Sequence, residues 1–145
     1  MKEDHMKRLA LCTFALFLIA APALANDVQT VTITSGTIAA SGSYSKAVNV
    51  TLATGLFSLQ GRVTGSGTVK IEYECSDDGI TYREPQGASD IAAGLTATSG
   101  PESDGRFILQ FFPDFSKYLA ITITETGGGS SAAFVGTLAL ETKAK

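Results

Sequence analysis

The feature that most constrains this chain is a period-two alternation of apolar and polar side chains. It begins near residue 28 and recurs almost to the C-terminus. Val69, Ile71, Tyr73 and Cys75 alternate with Lys70, Glu72 and Glu74. Phe57, Leu59 and Val63 alternate with Ser58, Gln60 and Arg62, and Val48, Val50 and Leu52 with Ala47, Asn49 and Thr51. Leu119, Ile121 and Ile123 stand opposite Ala120, Thr122 and Thr124. Val31 and Ile33 open the series, and Phe134, Leu138 and Leu140 close it. Side chains two apart share one face of a strand, so each segment has one apolar face. Between the segments lie Ser35-Gly36, Ser41-Gly42, Thr54-Gly55, Gly65-Ser66-Gly67, Asp78-Gly79, Asp104-Gly105 and Gly127 to Gly129. These residue types favour turns. No segment after residue 26 sustains a 3.6-residue period.

Strands with one apolar face must bury it against another sheet or curl into a barrel. The reading is an all-β chain: a two-sheet antiparallel β-sandwich or jelly roll of about eight or nine strands. Strands 69–75 and 80–83 are expected to form a hairpin through Ser76-Asp77-Asp78-Gly79, since Asp-Gly between alternating runs signals one. The stretch from Glu84 to Asp104 is irregular, with Ile91 and Leu95 expected to tuck onto the core. Phe107, Leu109, Phe111, Ile121, Ile123, Leu138 and Leu140 are the expected core. The opposite face of the Phe107 strand offers Ile108, Gln110 and Phe112. Phe112-Pro113-Asp114-Phe115 is expected to cap the sandwich end.

Before the strands stands a different kind of segment. Lys7 and Arg8 precede a nearly unbroken apolar run from Leu9 to Ala21, then the small-x-small sequence Ala23-Leu24-Ala25. That order is a secretory signal helix cleaved after residue 25. The run is shorter than the roughly 20 residues a membrane span needs. Met6 makes a more typical signal start than Met1, and Cys12 stands too early in the run for a lipidated cysteine. Residues 26–145 are then one domain, with no membrane span after cleavage. The short basic start and Ala-rich end point to a bacterial chain exported to the periplasm, the outer surface or the medium.

Cleavage changes the chemistry. It removes Lys2, Lys7, Arg8, Glu3 and Asp4, leaving eight basic and twelve acidic side chains, net −4 against −3 for the whole chain. No basic patch is present, which argues against nucleic acid as a partner. The single histidine, His5, goes with the signal. Histidine triads and histidine metal sites go with it. No nucleophile elbow, S-x-x-K or phosphate loop appears. The expectation is a non-enzyme without a cofactor. Cys75 alone remains of the two cysteines, so it is either a small buried hydrophobe or a free thiol open to reaction or intermolecular pairing. Asp77, Asp78 and Asp104 are weak calcium candidates, aided by Glu102 or Asp90. Calcium takes six to eight oxygens, so a site requires the 100–105 loop to fold against the 76–79 turn. Otherwise no metal is expected.

The run Ile71-Glu72-Tyr73-Glu74-Cys75-Ser76-Asp77-Asp78-Gly79-Ile80-Thr81-Tyr82 resembles the strand-turn-strand hairpin of discoidin (F5/8 type C, galactose-binding-like) domains. Tyr82 stands where that family usually has tryptophan. The same hairpin, with the short Gly/Thr-rich chain, is similar to small sandwich proteins of phage virions or surface decoration. The first resemblance implies a carbohydrate-binding module; the 84–104 loop and the 76–79 turn are where its site is expected, with Asp77, Asp78, Tyr82 and Asp104 as candidate ligand-contacting residues. The second implies a structural or adhesive protein of the envelope, whose partners are further copies, other surface proteins or a glycan. The leading strand, Asn26 to Ile33, either pairs within its own sheet or adds to a neighbour's.

Overall fold

The computed structural model describes residues 27–143. The expected signal helix, its cleavage site and Cys12 lie outside these residues. Eight strands follow in order: β1 (Asp27–Ile38), β2 (Ser43–Asn49), β3 (Ala53–Gly65), β4 (Val69–Ser76), β5 (Ala92–Leu95), β6 (Arg106–Phe111), β7 (Tyr118–Glu125) and β8 (Ala132–Thr142). The second half of the chain folds back along the first, so that β1 pairs with β8, β2 with β7, β3 with β6 and β4 with β5, all antiparallel. Rolling up this long hairpin adds the β3–β8 and β4–β7 ladders. The outcome is two four-stranded sheets, β1-β8-β3-β6 and β2-β7-β4-β5. That order is a jelly roll.

The alternation places the core as expected. Ile33, Leu59, Val63, Val69, Ile71, Leu119, Ile121, Ile123, Phe134 and Leu138 are fully buried between the sheets. On β6, Phe107 points inward while Ile108 stands exposed, as does Phe112 just beyond the strand. Ile91 and Leu95 pack against the core as half-buried side chains, Leu95 from the short strand β5. β1 pairs along its length with β8 of its own sheet, Asp27 opposite Thr142.

Four expectations need correction. The hairpin partner at 80–83 is not a strand, and only Cys75 and Arg83 pair there. The amides of Ile80 and Thr81 donate instead to the Asp78 side chain, so they are spent on the turn rather than on a ladder. Leu52 is exposed, because a turn closed by Ala53 N–H to Val50 C=O (2.9 Å) ends the β2 alternation. Leu109 and Phe111 are half-buried rather than central. Phe112 and Phe115 cap nothing, being 75% and 98% exposed. The chain leaves β6 at Phe111, and Pro113 and Asp114 carry these two rings away from the inner face.

The two ends of the sandwich differ. One carries the connections 50–52, 77–91 and 112–117; the other carries 39–42, 66–68, 96–105 and 126–131. The eight residues of β4 separate them by roughly 25 Å at about 3.3 Å per residue.

Candidate functional site at the aromatic end

The turn after β4 is built around one carboxylate. Ser76 Oγ donates to Asp78 Oδ1 (2.8 Å), and the Ile80 and Thr81 amides donate to the same oxygen (2.8 Å each). Ser76 Oγ in turn accepts from the Gly79 amide (2.9 Å). The Thr81 amide first, then the Ile80 amide and the Ser76 hydroxyl, hold the Asp78 carboxyl down at about 2. Donors favour the charged form of a carboxylate. Gly79 has φ +71°, and a Cβ there would lie 3.2 Å from the Tyr118 ring. Asp78 is thus a turn former whose Oδ1 is fully engaged by three donors.

Beside this turn is a cleft of about 420 Å³, lined by Tyr73, Gln86 to Ile91, Gln110, Phe111, Phe112 and Asp114. β4 delivers Tyr73 and β6 delivers Gln110 and Phe111, so the floor is set by both sheets. The Phe111 ring lies 5.8 Å from Tyr73 and 5.6 Å from Phe57. Burial, followed by the nearby Asp114 charge, pushes the Tyr73 phenol upward, so it remains a neutral hydroxyl. The wall formed by 86–91 is tied down where Asp90 Oδ1 lies 3.7 Å from Lys70 Nζ, and Lys70 also pairs with Glu72. The Phe112 ring stands in solvent at the rim. Aromatic carbon beside side-chain amides and carboxylates suits a ligand with apolar faces and many hydroxyls.

The residues singled out from sequence do not form one site. Asp77, Asp78 and Tyr82 sit at the aromatic end, yet none lines the cleft. Asp104 is at the other end: its carbonyl accepts from Arg62 Nε (3.1 Å), and its carboxylate binds the Arg106 amide (3.0 Å) and guanidinium (3.1 Å). The 100–105 loop therefore does not reach the 76–79 turn, and the condition for the Asp77–Asp78–Asp104 calcium set is not met. Among the described residues, no three His, Cys, Asp or Glu side chains gather as a metal site. Asp104 instead borders a more apolar groove with Leu95, Pro101, Phe107 and Ile108.

Cys75 is free and half-buried, its Sγ 3.7 Å from the Asp114 carbonyl. Burial pushes its thiol up, the Ser116 hydroxyl pulls the other way, and Asp114 and Asp77 add to the rise. Little thiolate forms at neutral pH, and the thiolate is the reactive species. Ellman's reagent should modify native Cys75 at least about tenfold more slowly than in urea. Equal rates in the two conditions would mark an accessible, activated thiol.

Gln86 and Asp90 lie in the 84–104 loop, the stretch where a binding site was expected, though Gln86 was not singled out; Gln110 was missed as a cleft residue. Gln110 was legible only as an outward residue of a strand. The Gln86–Ile91 wall has no periodic signal, because a loop's path is set by where its ends are held.

No protein-family model and no curated protein matches the chain. Some solved structures are similar to it. A periplasmic inhibitor of g-type lysozyme from Aeromonas hydrophila is 10% identical over 84% of this chain and 92% of its own, with a TM-score of 0.42. The subunit of the disulfide-linked pili that form Bacillus endospore appendages is 16% identical over 86% of this chain and 98% of its own, also at 0.42. A family 36 carbohydrate-binding module, solved with calcium and xylotriose, is 13% identical over 80% and 93%, at 0.38. The likeness is one of fold alone.

Proposed function

We propose that this chain is a secreted, non-catalytic adhesive β-sandwich of the bacterial envelope, and that its aromatic end binds a neutral glycan. The observation that carries this reading is the cleft between Tyr73, Gln110, Phe112 and the 86–91 loop. Its side chains offer ring carbon for a sugar's C–H face and amide and carboxylate groups for its hydroxyls. Asp90 and Asp114 give the cleft a negative character, which disfavours sulfated or carboxylated sugars. Residues 27–143 contain no histidine, in keeping with binding without turnover. The signal-like residues 1–25 support export.

The test is a glycan array of neutral and acidic oligosaccharides, followed by calorimetry on the strongest neutral hit. Phe112→Ala should weaken that binding about tenfold, since one stacked ring contributes about 1 kcal/mol or somewhat more. Gln110→Ala should weaken it too, with the bound sugar left uncleaved. No binding to any neutral glycan, or affinity indifferent to both substitutions, would reject the reading.

A further inference from the structure

Among the described residues four strand edges lie open in this jelly roll: β1 and β6 in one sheet, β2 and β5 in the other. An open edge presents unpaired N–H and C=O groups, and proteins usually blunt it with charge, brevity, proline or a bulge. Three edges here are blunted in that way. β2 carries Lys46 in its middle. β5 has only four residues and includes Gly94 at φ +72°. β6 has six residues and opens on Arg106. β1 is different. It has twelve residues, and from Val28 to Ile38 it holds no charged side chain and no proline. Its one irregularity falls between Thr34 and Gly36. There Ser35 Oγ replaces ladder bonds, accepting from the Phe134 amide (2.9 Å) and donating to Gly36 C=O (2.9 Å). Val28 to Thr34 is left as a regular, unguarded edge.

We propose that this edge pairs antiparallel with the same edge of a second copy, joining two four-stranded sheets into one of eight. The sequence of the edge selects the partner. Thr30-Val31-Thr32-Ile33-Thr34 is nearly symmetric about Thr32. Antiparallel pairing centred there sets Thr30 against Thr34, Thr32 against Thr32 and Val31 against Ile33. Threonine pairs and β-branched pairs are favourable cross-strand neighbours. The same register sends the two Asp27 carboxylates to opposite ends of the ladder, so no like charges meet. A two-fold contact of this kind is closed and gives a dimer rather than a fibre. Five regular residues per copy, Thr30 to Thr34, make a small interface, so the association is weak and concentration-dependent. It also leaves both clefts open, because the cleft is lined from β4, β6 and the 77–91 loop on the far side of each sandwich. Two glycan sites on one rigid sheet would then bind a polymeric surface with gained avidity. The dimer itself does not depend on the glycan reading.

The test uses protein expressed from the full 145-residue sequence, with mass spectrometry fixing the protomer and light scattering read from micromolar to millimolar concentration. The expected mass climbs from one protomer toward two. Thr32→Lys places two ammonium groups face to face at the centre of the ladder and should hold the protein at one protomer, with Tm unchanged. Thr30→Lys combined with Thr34→Lys, which this register sets against each other, repeats the test should the first variant fold poorly. Thr137→Lys lies directly beside Thr32 on the same outer face, but on the interior strand β8, and should keep the dimer. A wild-type protein that stays at one protomer throughout overturns the proposal. So does a dimer that survives Thr32→Lys, or one lost with Thr137→Lys, which would indicate stacking of sheet faces.

Discussion

Truncating Phe134 to alanine should cost about 3–5 kcal/mol in urea unfolding, the range for a fully buried aromatic ring. Phe134 is 0% exposed at the centre of the inner face of the β1-β8-β3-β6 sheet. Its ring stacks on Phe107 at 5.9 Å and 27°. It lies across Gly61 and Gly136, which pair directly between β3 and β8. A Cβ on either glycine would run into the ring. The sheet therefore gives up two inward side chains to seat one large one. That arrangement sets the expected cost near the top of the range. When the ring is removed, the floor of the void is glycine backbone in two paired strands, which has no side chain to swing inward. Cavities that cannot collapse are the expensive ones. Phe111→Ala removes a ring already half in solvent and should cost only about 1–2 kcal/mol. A loss under about 1 kcal/mol for Phe134 would mean that the ring does not fill the site described.

The contrast between these two phenylalanines shows what was legible in advance. Period-two alternation chose the correct face of β3, β4, β6, β7 and β8, because it follows from the backbone pleat alone. It set Phe107 inward and Ile108 outward without reference to the rest of the molecule. Depth within the core is another matter. Phe111 and Phe134 alternate equally well, but Phe111 lies at the last position of β6, beside the cleft, while Phe134 lies over a glycine pair formed by Gly136 of its own strand and Gly61 of β3. That difference depends on β3–β8 register, which is long-range. The turns were legible as turns, though not in their purpose. Asp78-Gly79 reads as a hairpin loop, yet the carboxylate consumes the amides that a hairpin would need. Of the residues singled out from sequence, Asp77, Asp78 and Tyr82 lie at the same end as the cleft without lining it, and Asp104 lies at the other end. The side chains that line the cleft came from a loop with no pattern to read. Glu125 escaped notice entirely, since one acidic residue at the end of a strand reads as a solvated charge.

Glu125 is buried, and its carboxylate is the hub of the end opposite the cleft. Oε2 accepts from the amides of Ser41 (2.8 Å) and Gly128 (3.0 Å), and Oε1 from those of Gly127 (2.8 Å) and Thr68 (3.2 Å). Three separate connections, β1–β2, β3–β4 and β7–β8, are thereby tied to one side chain. The neighbouring glycines make the room: a Cβ on Gly67 would lie 3.0 Å from Oε1, and one on Gly127 would lie 2.8 Å from it. Hydrogen bonds to an ionised group are stronger than neutral ones, and unsatisfied buried donors are costly. Glu125→Gln keeps the shape, but it loses the charge and turns an NH₂ toward two amide donors. At pH 7 its Tm should fall by about 5–10 °C. The pH dependence gives the sharper test. The Ser41 amide, helped by those of Thr68, Gly128 and Gly127 and opposed by burial, holds the Glu125 carboxyl below the ordinary 4.5. A carboxyl depressed in the folded state stabilises the fold fully above its unfolded value, and that contribution is lost as pH falls through the folded value. Wild-type stability should therefore hold steady above about pH 5.5 and decline below 4.5. Asp78, lowered from 3.8 to about 2, adds to the decline at the acid end. The Tm gap between wild type and Glu125→Gln should shrink over the same window, because the wild-type side chain then becomes neutral too. A gap that stays constant from pH 7 to pH 2 would show that the loops are held by the shape of this side chain and not by its charge.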